Sequence, residues 1–131
     1  MRALPIKHYN LVDLPEVLAL TERFLPELDV AGDIRYIDGT HLYNDVPCDL
    51  FISNYAFSEL VKFAQDIYIN RILRRAKAGY ITWNEGALRR GSGWDKGYTL
   101  EEFLPMIPGA KTMHEEPLTG TGNCIVVWGT K

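Results

Sequence analysis

The sequence has few of the features that mark membrane, secreted or metal-binding proteins. No stretch of its 131 residues comes near the roughly 20 consecutive apolar residues that a transmembrane helix needs. The amino terminus, MRALPIKH, lacks the apolar core of a signal peptide. There are only two cysteines, Cys48 and Cys124, and they lie far apart without metal-binding spacing. We therefore expect both thiols to be reduced and the protein to be cytoplasmic.

An excess of basic residues is also missing. Lysine and arginine number 14 against 17 aspartates and glutamates, which gives a net charge of -3. Binding to a nucleic-acid backbone needs a basic surface, so we expect neither a nucleic-acid nor a membrane partner. The apolar share of 47% and the charged share of 24% are those of an ordinary globular protein. We interpret residues 1–131 as one domain.

The apolar pattern along the chain predicts strands that alternate with helices. The predicted order is β-α-β-β-α-β-α-β-β, which is typical of an α/β fold. We expect a mostly parallel sheet flanked by helices, closed by a C-terminal antiparallel hairpin. The predicted strands span residues 6–12, 34–37, 49–54, 79–84, 111–115 and 123–128, and the three helices begin near residues 13, 58 and 99.

The first predicted helix carries a start signal and an apolar face. Asp13 and Glu16 have the spacing of a capping box, and Pro15 is tolerated in a first helical turn. Four apolar side chains then recur at helical spacing, which predicts one apolar face. They are Val17, Leu20, Phe24 and Leu28.

The other two helices differ in how clearly the sequence defines them. Thr99 and Glu102 form a second capping-box pattern at the start of the last helix. The long helix predicted over residues 58–77 has a wide apolar stripe, but Ile69 and Leu73 fall outside it. We expect these two side chains to meet a neighbouring helix, from this chain or from a second copy.

Polar residues end each of the first four predicted strands. Because ligands of open parallel sheets bind at the carboxyl ends of the strands, these positions are candidates for a site. For Asp13, helix capping and ligand binding are equally good interpretations, whereas for Asp38 a turn is favoured. The positions are Asp13, Asp38 with Gly39, Asn54, and Asn84 with Glu85.

Several segments resemble those of a known enzyme family. The sequence DLPEV at residues 13–17 is similar to the segment that ends the second strand of many small-molecule O-methyltransferases. The segment DLFISNYAFSEL at residues 49–60 resembles the fourth-strand region of the sugar O-methyltransferases, and GYITWN at residues 79–84 continues the match. EPLTG at residues 116–120 does so near the end of the chain. The chain thus resembles class I S-adenosylmethionine-dependent methyltransferases over nearly its whole length.

The resemblance implies a seven-stranded sheet that binds S-adenosylmethionine. In such a protein Asp13 would hold the ribose beside Leu14, and Asp38 and Gly39 would lie near the adenine. Asn54 would border the methionine end of the cofactor. The resemblance implies that residues 54–59, Tyr55 among them, border the methionine end and the methyl acceptor. Asn84 at a strand end and Trp94, an aromatic residue that can stack on a sugar, are further substrate-binding candidates. Glu59 or a histidine would have to serve as the general base, although an interaction with the helix dipole is the favoured interpretation of Glu59.

The chain also departs from the family in one respect. The family's first strand and its glycine-rich loop should precede residue 6, in the sheet centre between the second and fourth strands, but the five residues there contain no glycine. We therefore expect an incomplete Rossmann-like fold. The favoured hypothesis is a methyltransferase-like protein that is non-catalytic alone, binds a small molecule and forms a homo-oligomer. The alternative is a methyltransferase acting on a sugar-like hydroxyl, with the missing loop supplied by another chain.

Overall fold

The computed structural model describes residues 6–28, 32–86 and 96–129. Within these ranges the chain is a mixed α/β protein with six strands in two sheets and four α-helices. The chain divides into two compact units, a first unit of Met1–Tyr43 and a second unit of Asn44–Lys131. No helix in the described ranges is both long and apolar enough to cross a membrane.

The first unit is a strand–helix–strand segment. Strand β1 (His8–Asp13) pairs in parallel with β2 (Asp33–Asp38), and helix α1 (Pro15–Phe24) lies between them in sequence, followed by a 3-10 turn at Leu25–Leu28. The predicted strand–helix–strand connection is confirmed, and it provides the crossover that two neighbouring parallel strands need. The predicted capping box is wrong: Leu14 is the N-cap residue, and no side chain caps the helix. Asp13 instead accepts a hydrogen bond from the Leu14 amide at 2.8 Å.

The apolar face predicted for α1 does not point into a core. Leu18 is the buried residue of the helix, one position away from the predicted stripe. A two-stranded sheet with one helix offers little surface under which a full stripe can be buried. The four predicted stripe residues are all exposed, by 40% to 66% (Val17, Leu20, Phe24 and Leu28).

The second unit is built on a four-stranded mixed sheet. Its strands are β3 (Leu50–Asn54), β4 (Ala78–Trp83), β5 (Lys111–Met113) and β6 (Cys124–Trp128), in the spatial order β3-β4-β6-β5. The β3–β4 pair is parallel, and β6 is antiparallel to both of its neighbours. The predicted C-terminal hairpin is confirmed. The described strands therefore form two sheets, the larger mostly antiparallel, rather than one mostly parallel sheet.

Strand β6 takes an inner position for a clear reason. Its sequence, CIVVW, is apolar throughout, and Val126, Val127 and Trp128 are buried. A strand without charges gains most by being covered on both faces. The three residues of β5 are all exposed, so this short strand forms an edge. Strand β3 forms the other edge, where Leu50 and Ile52 are about half exposed.

The long helix predicted over residues 58–77 is broken. It consists of α2 (Ala56–Glu59), α3 (Lys62–Arg71) and a 3-10 turn at Leu73–Arg75. Leu60 and Val61 are both extended, which shifts the phase of the helical face. Ile69 and Leu73, which we expected to meet a neighbouring helix of this chain or of a second copy, are both buried in the core of the second unit, so the alternative of a second copy is wrong.

An aromatic cluster fills the centre of that core. Phe57, Trp83 and Phe103 are all nearly or fully buried, with ring centroids 5.1 to 6.3 Å apart. Phe103 belongs to α4 (Leu100–Phe103), which begins at the predicted capping box of Thr99 and Glu102. Both reciprocal hydrogen bonds of that box are present, so this prediction is confirmed. The cluster packs α2 and α4 against β4. Since Trp83 is the last residue of β4, this packing fixes the position at which the chain leaves the strand.

Candidate functional site

A cleft of about 410 Å³ opens in the second unit at the carboxyl ends of β3 and β4. Parallel pairing of β3 with β4 brings their carboxyl ends to one edge of the sheet. Antiparallel pairing of β6 with β4 sets Cys124 opposite Trp83, so the loop before β6 reaches the same edge. The cleft is lined by Tyr55, Glu59, Asn84, Gly86, Thr119, Gly120, Thr121 and Asn123.

Tyr55 enters the cleft from a strained turn between β3 and α2. Its φ of +64° lies in the left-handed region, which costs a bulky residue about 1–3 kcal/mol. The turn is held at both ends of the residue. The Tyr55 amide donates to the carbonyl of Thr82 at 3.1 Å, and the Tyr55 carbonyl accepts from the hydroxyl of Ser58 at 2.7 Å. Strain at a cleft position indicates a functional constraint there.

A buried carboxylate anchors one wall of the cleft. Glu115 is only 6% exposed, and it accepts hydrogen bonds from the Tyr55 hydroxyl, from Thr119 Oγ1 at 2.7 Å and from the Thr119 amide at 3.2 Å. The Tyr55 hydroxyl and Thr119 together hold the pKa of Glu115 below its ordinary value, because they stabilise the charged form. Glu115 in turn raises the pKa of Tyr55. Asn123 extends the network by donating to Thr119 Oγ1 at 3.0 Å.

Glu59 and Asn84 form a second wall of the cleft, where they contact each other. The Asn84 side-chain amide donates to Glu59 Oε1 at 2.9 Å, and Asn84 Oδ1 accepts from the Gly86 amide at 3.1 Å. The backbone amide of Asn84 donates to Ser58 Oγ at 2.9 Å. Glu59 is exposed, so its carboxylate is in reach of solvent and of a bound molecule.

Asn54 lies at the same edge of the sheet but does not line the cleft. Its register partner on β4 is Thr82, and Thr82 Oγ1 donates to Asn54 Oδ1 at 3.1 Å. This contact joins the ends of β3 and β4. The side-chain oxygen of Asn54 is thus used within the sheet.

The remaining predicted cofactor residues lie together in the first unit. Asp13 and Asp38 are opposite each other at the carboxyl ends of β1 and β2, and Leu14 and Gly39 follow them directly. Asp38 caps the 3-10 turn at Gly39–His41 by accepting from the Thr40 amide, from Thr40 Oγ1 and from His41 Nδ1 at 2.6 to 2.8 Å. These bonds, from Thr40 and then His41, lower the pKa of Asp38 to about 2. The turn interpretation of Asp38 is confirmed.

The sequence-based predictions thus gave part of the cleft. Tyr55, Glu59 and Asn84 are brought together, whereas Trp94 lies outside the described residues. The sequence interpretation missed the roles of Glu115, Thr119 and Asn123. One signal was present, since polar and small residues crowd the stretch that precedes the apolar strand β6.

The described residues contain no candidate metal site, and no known protein matches the chain. Over residues 6–28, 32–86 and 96–129, no group of three or more histidine, cysteine, aspartate or glutamate side chains could hold a metal ion. Comparison of the chain with protein-family models, with curated proteins and with solved structures gave no match.

Proposed function

We propose that this chain is a methyltransferase-like protein that binds a small, sugar-like molecule in the cleft and does not catalyse methyl transfer by itself. The observation that carries the proposal is the cleft at the carboxyl ends of β3 and β4, with amide, carboxylate and hydroxyl groups around its opening. Small-molecule sites are concave and use a few placed polar groups to fix the orientation of the ligand. The resemblance of residues 49–60 to sugar O-methyltransferases points to the same class of ligand.

The lining suits a molecule with several hydroxyl groups. A sugar hydroxyl both donates and accepts hydrogen bonds, and so do the side-chain amides of Asn84 and Asn123. The Glu59 carboxylate can only accept hydrogen bonds, and it can accept one from a hydroxyl group of the ligand. Tyr55 and Thr119 are held in place by Glu115, so this wall is formed before a ligand arrives. A preformed wall lowers the cost of ordering side chains on binding.

The carboxylates in and beside the cleft, Glu59 and Glu115, are both engaged in hydrogen bonds within the protein, which disfavours their use as a base. Glu115 accepts three hydrogen bonds from Tyr55 and Thr119, which lower its pKa and weaken it as a base. Oε1 of Glu59 accepts from Asn84. These engaged carboxylates support a binding function over catalysis by the chain alone.

The test is a titration of the purified chain with methyl α-D-glucoside, methyl α-D-galactoside and methyl α-D-mannoside, followed through the backbone amide signals of the cleft residues Tyr55, Glu59 and Asn123, which every variant keeps. We expect at least one glycoside to bind with a Kd of about 1 mM or tighter. Asn84→Ala should abolish the binding, whereas Thr112→Ala on the exposed strand β5 should leave it unchanged. Absence of binding to any of the three glycosides would contradict the proposal.

A second candidate function is an S-adenosylmethionine-dependent O-methyltransferase whose glycine-rich loop comes from another chain. The observation that favours it is the side-by-side placement of Asp13 and Asp38 at strand ends, where a ribose is commonly held. Asp13 uses Oδ1 for the Leu14 amide, and a carboxylate has a second oxygen to offer. Calorimetric titration with S-adenosylhomocysteine tests it. Micromolar binding that is lost in Asp13→Ala would support the enzyme, and no heat at high ligand concentration would eliminate it.

We also infer that the protein self-associates as a homo-oligomer in the cytoplasm. The exposed apolar side chains of α1, such as Leu20 and Phe24, support the first part, since a two-stranded sheet with one helix buries little apolar surface by itself. The free thiols of Cys48 and Cys124 support the second. Sedimentation of the wild-type chain and of Leu20→Lys tests the association. A monomer at all concentrations in the wild-type chain would refute it.

A further inference from the structure

The geometry points to Ser58 as the residue that positions both walls of the cleft, an inference that rests on the proposed binding function. Ser58 is 1% exposed and does not line the cleft itself. Its hydroxyl donates to the Tyr55 carbonyl at 2.7 Å and accepts from the Asn84 amide at 2.9 Å. One side-chain oxygen thus joins the turn after β3 to the residue after β4.

The first of these bonds maintains the unusual backbone of Tyr55. A tyrosine leaves the left-handed region unless the surrounding structure holds it there. The Tyr55 carbonyl is held twice by Ser58, through the hydroxyl and through the backbone amide at 3.1 Å. This geometry directs the Tyr55 hydroxyl to Glu115 and Thr119.

The second bond fixes the start of the segment that carries Asn84. With its backbone amide on Ser58, Asn84 presents its side-chain amide to Glu59 at 2.9 Å. Glu59 follows Ser58 directly in α2, so the serine holds both partners of that contact. Loss of the hydroxyl should therefore loosen Tyr55 and Asn84 together, although neither side chain is changed.

The sequence supplies a matched control near the end of β3, just before the turn. Ser53 Oγ accepts from the Phe57 amide at 3.0 Å, and this bond reaches neither Tyr55 nor Asn84. Ser58→Ala and Ser53→Ala remove the same atom, each from a side chain that is at least partly buried. Differences between the two variants thus report the position of the hydroxyl rather than the loss of any serine.

The experiment compares both variants with the wild-type chain in two measurements. Hydrogen exchange of the Asn84 backbone amide should become about tenfold faster in Ser58→Ala and stay unchanged in Ser53→Ala, because only Ser58 accepts that proton. The affinity for whichever methyl glycoside binds the wild-type chain should fall about tenfold in Ser58→Ala and less than about threefold in Ser53→Ala. Thermal unfolding of both variants separates these effects from a general loss of stability.

Equal effects of the two substitutions on Asn84 exchange would overturn the assignment. If no glycoside binds the wild-type chain, the proposed function fails, and the exchange measurement still decides the role of Ser58. Ser58→Cys keeps a weakly bonding group of similar size in case the alanine variant does not fold. If the Asn84 amide of this variant exchanges at a rate between that of the wild-type chain and that of an unprotected amide, the assignment is supported. Exchange at the wild-type rate contradicts it.

Discussion

Replacement of Gln65 by leucine should be one of the most damaging substitutions near the cleft. Gln65 is fully buried, and its side-chain amide donates to the Phe57 carbonyl at 3.0 Å while its Oε1 accepts from the Tyr98 amide at 2.6 Å. Leucine has a similar size but leaves both backbone groups without this partner. A buried polar group that loses its partner costs about 1–3 kcal/mol.

The expected loss follows from the surroundings of the two groups. The Phe57 carbonyl is buried but keeps the hydrogen bond that it accepts from the Leu60 amide at 3.3 Å, whereas the Tyr98 amide loses Gln65 as its acceptor. We therefore expect Gln65→Leu to lower the free energy of unfolding by about 1–3 kcal/mol. For a chain of this size, such a loss lowers Tm by about 4–12 °C.

Urea unfolding followed by tryptophan fluorescence measures this effect, since Trp83 and Trp128 are buried in the same unit. The matched control is Asn70→Leu, the same kind of exchange on the exposed side of α3, where Asn70 only accepts from Arg74. The control should change the free energy of unfolding by less than about 0.5 kcal/mol. If Gln65→Leu falls within the same range, the two backbone groups do not depend on Gln65, and the reasoning is refuted.

Three further predictions concern other contacts of the second unit. Gly79→Ala would place a Cβ 2.0 Å from ring carbons of Trp128, so urea unfolding should show a loss of about 1–3 kcal/mol, and an unchanged midpoint would contradict this contact. Because the pKa of Glu115 is lowered in the folded state, its ionised carboxylate stabilises the fold at pH values above 4.5, the ordinary pKa of this group. This contribution is lost as the pH falls through the lower pKa of the folded state. Acid unfolding of Glu115→Gln should therefore lack that component, and a curve that matches the wild-type curve would count against the Tyr55–Glu115 contact. Thr99→Ala removes the capping box and should cost about 1 kcal/mol in thermal unfolding, with no change as the opposing result.

The parts of the fold that the sequence predicts correctly are those determined by neighbouring residues. The capping box at Thr99 and Glu102 needs only four residues to form, and it was predicted with the right start. The hairpin of β5 and β6 and the parallel crossover of the first unit likewise follow from short-range patterns. These elements are confirmed because little from the rest of the chain competes with them.

The long helix was predicted incorrectly because distant contacts decide its course. The break at Leu60 and Val61 is compensated by residues far along the chain, since the Lys62 amide donates to the Lys96 carbonyl and Gln65 binds Tyr98. Helical periodicity reports the tendency of a segment by itself, and tertiary packing overrides it. Ile69, which an unbroken helix would place outside the apolar stripe, is buried.

In the candidate site, too, the residues placed by local patterns were predictable and those placed by distant strand pairing were not. Tyr55 and Asn84 were within reach of sequence reasoning because parallel strands bring their carboxyl ends to one edge of a sheet. Glu115 and Thr119 were not, because their position at this edge depends on the pairing of β6 with β4, which no local pattern dictates. The buried carboxylate of Glu115 is tolerated only because the Tyr55 hydroxyl and two donors of Thr119 converge on it. The wall formed by Glu115 and Thr119 thus depends on the position of β6 in the sheet.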